Sequence, residues 1–141
     1  MWSEGLATAL GQDVLGDSIY ADRRPSTAHL YDIETLDATL TGTLPPNTRT
    51  GNHNEFMVSS VIWNILDPAN EAWDGFQERQ FAFGAMFENI PADRDGNGLD
   101  VSDFLDQLRS DYPGNPDQDL KCITDKGGYP YDYPSGVMCP P

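Results

Sequence analysis

Apolar residues at Val58, Val61, Ile62, Ile65 and Leu66 follow the i, i+3, i+4, i+7, i+8 spacing of one helix face. Phe56, Met57 and Trp63 fall off that stripe, so little of the circumference is left for water. A helix apolar on most sides belongs in the middle of a domain, which makes residues 52–68 the predicted central helix. Asn52 and Asn54 are its candidate N-caps. Asp67-Pro68 ends it, because a residue before proline avoids the helical region.

Three further helices follow from the same periodicity. Residues 2–12 place Trp2, Leu6, Ala9 and Leu10 on one face, with Ser3 as N-cap, Glu4 in the first turn, and Gly11 or Gly16 as terminator. Residues 75–90 carry Phe76, Phe83, Met86, Phe87 and Ile90 inward, with Gly84 marking a close helix crossing. Residues 101–112 align Val101, Phe104, Leu105 and Leu108. Between 17 and 50 the chain reads as irregular, apart from a short extended segment at 29–34 and a Pro45-Pro46-Asn47 turn. Trp73 is expected to fold back on the core, and turns pinned by a disulfide are expected beyond Pro113. The predicted fold is mainly α: about four helices around a central apolar helix, with long irregular loops and a disulfide-closed C-terminal tail. It divides into a helical domain at 1–112 and an irregular tail at 113–141.

Charge and cysteine content narrow the setting. Eight basic against 23 acidic residues give a formal charge of −15, which repels phosphate backbones and anionic lipid and suits divalent cations. Nucleic acid is excluded as a partner on that ground. Cys122 and Cys139 lie in a Pro- and Gly-rich stretch and read as a disulfide in an oxidising compartment, against the alternative of two cytosolic thiols. The chain-entropy model gives about 3 kcal/mol for a loop of this size. The expected location is extracellular or secreted, with periplasm or cell surface as variants. No stretch approaches the length of a membrane span, and residues 1–3 lack a basic, apolar leader, so an extracellular protein is expected to begin upstream of Met1.

The most specific local motif is Asp93-Arg94-Asp95-Gly96-Asn97-Gly98. Side-chain oxygens at alternate positions followed by glycine describe the opening of an EF-hand-type calcium loop. The standard twelfth position falls on Phe104, so a shortened loop is needed, with Asp100 on the water side and Asp103 last. This resembles the dockerin and EF-hand type. The competing reading has Asp100 capping the next helix with Asp103 as its acidic third residue, and needs no metal.

A second resemblance runs through the chain in order. Residues 2–7, Trp-Ser-Glu-Gly-Leu-Ala, resemble the W/F-x-E-G-x-A helix of secreted gluzincin-type zinc metallopeptidases. His29 to Glu34 resembles the family's segment ending in Asp-Ile-Glu. Asn54-Glu55 with residues 58–67 resembles its Asn-Glu-x-x-Val-x-x-x-Leu-Trp-Asp-Leu helix, and residues 102–105 resemble a later helix opening. Together these span roughly residues 1–112. The resemblance implies that Glu4 is the glutamate ligand of a catalytic zinc, whose other ligands are two histidines of an HExxH helix. The sequence holds no HExxH, so the chain contains no complete active site.

His29 and His53 are the two histidines present, far apart in sequence. His53 is the candidate to face a substrate as an electrophilic or orienting group; a cap or surface hydrogen bond is its plainer reading. Glu55 reads as a first-turn acid stabilised by the helix dipole. The tyrosines at 129, 131 and 133 read as packing for the closed loop, with a carbohydrate- or protein-contact surface as the alternative.

Two functions are therefore expected. One is the helical subdomain of a secreted zinc metallopeptidase, inactive alone and completed by a missing N-terminal half. The other is an extracellular, calcium-stabilised helical binding or assembly module without catalysis. In the first, the Leu6/Leu10 face awaits a covering partner: the missing half, another chain or a homo-oligomer. In the second, that helix tucks against the central one.

Overall fold

The computed structural model describes residues 2–24, 27–34, 55–67, 71–88, 93, 96 and 98–139, and backbone alone at 22–24 and 27–29. In chain order the elements are helix α1 (Trp2–Leu15), strands β1 (Ile19–Arg24) and β2 (Thr27–Asp32), helices α2 (Glu55–Leu66) and α3 (Arg79–Phe83), a π-helical turn (Gly84–Glu88), and helices α4 (Val101–Asp111) and α5 (Asp117–Gly127). The fold is mainly α, with a C-terminal disulfide joining Cys122 to Cys139.

Helix α2 is the centre. Every residue from Met57 to Leu66 is buried, as its apolar circumference requires. Its candidate caps Asn52 and Asn54 lie outside the described residues. Helix α1 packs along it at a point fixed by Gly5: a Cβ there would lie 2.5 Å from Val58 Cγ1 and 2.9 Å from the Glu55 carbonyl. Only a residue without a side chain lets the two backbones come this close. Gly16, at φ +66° and one of the two expected terminators, ends α1, which runs three residues past the predicted stretch to Leu15.

The predicted extended segment is one strand of a hairpin. Strand β2 pairs antiparallel with β1, in the register Ile19 to Asp32 and Tyr20 to Tyr31. Its partner strand falls in a stretch expected to be irregular, where Ile-Tyr-Ala-Asp-Arg-Arg carries too little alternation to announce itself. Gln12 ties the hairpin to α1, its Nε2 donating to the carbonyls of Asp17 and Ile19 at 2.9 and 2.6 Å. Tyr20, Tyr31 and buried Ile33 pack on Phe56 and Trp63 of α2.

Two expectations are corrected. The predicted helix at 75–90 starts only at Arg79 and passes into the π-helical turn at Gly84. Among the described residues a Cβ at Gly84 meets nothing within 4 Å, so no close crossing is seen there, whereas Gly5 makes one. Phe76 and Met86 are buried, Phe83 is half-buried, Phe87 is 53% exposed, and Ile90 lies outside the described residues. The stretch expected to hold only turns beyond Pro113 contains α5, whose Leu120 and Ile123 are fully buried and whose Gly128 cap sits at φ +67°. Its i, i+3 apolar pair is too sparse to read as a helix face against so many prolines and glycines. Helix α4 matches prediction, with Val101, Phe104, Leu105 and Leu108 at 0% exposure, and Trp73 packs against the core as expected.

Candidate functional sites

Glu4 lies in the first turn of α1 and is exposed. Gly5, Ala9 and Gln12 point into the molecule, and Trp2, Leu6 and Leu10 pack against the core. The Leu6/Leu10 face is therefore covered by the chain itself, with α1 tucked against α2 as expected of a free-standing module, and it is not the face left for a covering partner. The open side is the opposite one, formed by Ser3, Glu4, Ala7, Gly11, Val14 and Leu15, with Val14 84% and Leu15 73% exposed. Thr8 Oγ1 donates to Glu55 Oε1 at 3.3 Å, joining the middle of α1, one turn after Glu4, to the start of α2. At the far end of α1, Asp13 pairs with Arg79 of α3 at 2.8 Å. His29 sits on β2 opposite Asp22, and His53 lies outside the described residues.

Among the described calcium-loop residues, Asp93, Asp100 and Asp103 are engaged in local backbone bonding. The Asp93 carboxylate accepts from the amides of Gly96 and Gly98 at 2.7 and 3.1 Å; both glycines have positive φ. Asp95 and Asn97 lie outside the described residues. Asp100 is the N-cap of α4: its Oδ1 accepts from the amides of Ser102 and Asp103, and Asp103 Oδ2 accepts from the Asp100 amide. This reciprocal capping box has the residue types that the metal-free reading assigned.

A second carboxylate group, unforeseen from sequence, forms where the hairpin meets the end of α2. Oxygens of Glu34, Asp67 and Glu71 lie within 4.8 Å of one another. The cause is packing: Asp67 follows Trp63 by one helical turn just past the end of α2, its amide bonded to the Trp63 carbonyl at 2.7 Å, while Ile33 and Glu34 are consecutive in the bend just past β2. Burying Ile33 against Trp63 carries Glu34 toward Asp67. A hydrogen bond with Glu71 pushes the Glu34 carboxyl up to about 7, helped by burial and by the negative charges of Glu71, Asp67 and Asp32.

Asp74 extends this acidity inward. It is 1% exposed, and burial raises its carboxyl to about 8 against the lowering effect of the Phe76 amide, with Glu71, Asp67 and Asp119 adding repulsion. The Asp74 amide donates to the Glu71 carbonyl, and its Oδ1 accepts from the Phe76 amide. A Cβ on neighbouring Gly75 would lie 2.6 Å from Asp119 Oδ1, so glycine there admits the acid of α5. Crowded carboxylates of this kind hold protons at neutral pH, or exchange them for a hard divalent cation. Among the described residues, a cleft of about 530 Å³ lined by Gln80, Phe81, Gly84, Glu88 and Asp111 shares no lining residue with either carboxylate group.

Zinc of the gluzincin kind needs two imidazoles beside the glutamate. Glu4 offers one donor on an accessible face, and the chain, lacking HExxH, does not complete such a centre. Comparison with protein-family models, curated proteins and solved structures returned no match.

Proposed function

We propose that this chain is the helical C-terminal subdomain of a secreted zinc metallopeptidase, contributing Glu4 as a metal ligand and inactive by itself. The supporting observation is the open face of α1. In a chain with 23 acidic residues, a merely solvated helix side would carry several charges. Here Glu4 is the one charged residue among six, beside small Ser3, Ala7 and Gly11 and the exposed apolar Val14 and Leu15. Small residues admit a second helix at short range, and exposed apolar surface favours its docking. The wedge of Gly5 on Val58 and the Thr8–Glu55 hydrogen bond hold α1 in place, which sets where the Glu4 carboxylate is presented. Zinc bound there would supply an acidified water for peptide hydrolysis.

The test is metal analysis and mass determination on the polypeptide isolated from its native source. The expected result is an HExxH segment in the same polypeptide and about one zinc per molecule, as four-ligand catalytic sites hold, with the zinc lost in Glu4→Gln. Glu4→Gln is expected to change stability by less than about 0.5 kcal/mol, because the side chain is exposed. A native polypeptide without HExxH and without zinc overturns the reading.

The Glu34–Asp67–Glu71 group favours a second reading, an extracellular helical module stabilised by calcium. Thermal melts with calcium and with a chelator test it. A calcium-dependent rise in Tm that Glu34→Gln diminishes supports this reading, and identical melts remove it.

A further inference from the structure

The C-terminal tail is held in two different ways along its length. In the first part, Tyr129 is 3% exposed within the main core, its amide donates to the Thr124 carbonyl at 2.9 Å, and its hydroxyl meets Ser102 Oγ at 3.1 Å. The Tyr131 hydroxyl bonds Asp106 and receives Arg109 Nη1, while Arg109 is paired with Asp117. Tyr133 accepts from Thr124 Oγ1, and the cations of Arg109 and Lys121 lie 5.8 and 5.7 Å from its ring. Alternate tyrosines thus dock on α4 and α5.

The second part is different in kind. Residues 134–136 and Met138 are exposed, Met138 by 75%. A turn closes on itself through the Val137 amide and Pro134 carbonyl, with Gly136 at φ +96°. The chain returns to the body through the Cys122–Cys139 bond. Gly136, Val137 and Met138 form one wall of a cleft of about 350 Å³, and Asn115, Asp117 and Gln118 at the start of α5 form the other.

We infer that residues 134–139 are a redox-released flap over the start of α5, fastened by the disulfide, while residues 129–133 stay docked without it. Cys122 is 1% exposed and Cys139 is half-buried, so a small dithiol attacks at Cys139 Sγ and expels Cys122 as a thiolate, which takes up a proton. The reagent's second thiol then closes on its own sulfur, releases the Cys139 thiol and leaves the reagent as a cyclic disulfide. Two electrons and two protons pass to the protein.

Hydrogen exchange read by mass spectrometry, on the whole chain with and without dithiothreitol under native conditions, tests this. Exchange is expected to rise about tenfold or more in 134–139 and severalfold at 115–118, with 129–133 unchanged, as for a local opening. Reoxidation is expected to reverse it. Loss of protection at 129–133 together with the flap overturns the inference, as does no change in 134–139. The Cys122→Ser/Cys139→Ser chain is expected to match the reduced pattern; should that variant fail to fold, the reduced wild-type chain decides.

Discussion

Gly5 and Asp74 show how much single positions decide here. A methyl group at Gly5 would overlap Val58 and approach the Glu55 carbonyl, so α1 would have to lift from α2. Gly5→Ala is expected to cost about 1–3 kcal/mol through overpacking, although alanine ordinarily favours a helix, and urea denaturation would measure it. Asp74 acts through its proton. Its carboxyl, ordinarily ionising at 3.8, is held to about 8, so between those values the folded chain binds a proton that the unfolded chain releases. That contribution to stability is complete below about pH 4 and is lost as pH rises through 8. Asp74→Asn keeps an acceptor for the Phe76 amide and removes the titration. Its Tm is expected to match wild type near pH 3.5 and to exceed it increasingly up to about pH 8.5. Equal melts at both pH values would show that burial does not hold this proton.

At the level of elements, caps and breaks carry the chemistry. Helix α4 starts at a capping box in which Asp100 and Asp103 serve each other's amides. Asp100→Ala is expected to cost about 1 kcal/mol, equally with calcium and with chelator, if the cap is the whole role of this side chain. A cost that grows with calcium would return the loop to the metal reading. The π-helical turn after α3 widens the backbone at Gly84 and turns Phe87 outward to stack on Phe83, with ring centroids 6.1 Å apart. An unbroken α-helix with the predicted apolar face would have kept Phe87 inside.

For the whole molecule, a net charge of −15 concentrates repulsion wherever carboxylates are brought together, and the junction of hairpin and α2 is such a place. Glu34, with its carboxyl pushed up from 4.5 to about 7, adds to the same trend as Asp74. Its contribution is full below the ordinary carboxylate range and disappears as pH passes 7. In chelator, Tm is therefore expected to fall between about pH 4 and 8, the window these two groups define. Calcium is expected to shrink that fall by replacing the lost protons. A fall of the same size with calcium would leave the cluster as a protonated structural contact. Among the described residues no helix is long and apolar enough to cross a membrane.

The sequence by itself determined the helices whose apolar residues recur in register over three turns. Helices α2 and α4 are legible because burying such a stripe is the main favourable term for any helix, whatever its neighbours. The disulfide pairing was legible because two cysteines allow one connection. Only tertiary structure decided what depends on the meeting of distant segments. These are the side of α1 left open, the strand that partners β2, the helix hidden among the prolines and glycines of the tail, and the gathering of Glu34, Asp67 and Glu71. No local spacing encodes that last group: its members come together because Ile33 packs on Trp63, and contacts between residues thirty positions apart leave no period in the chain.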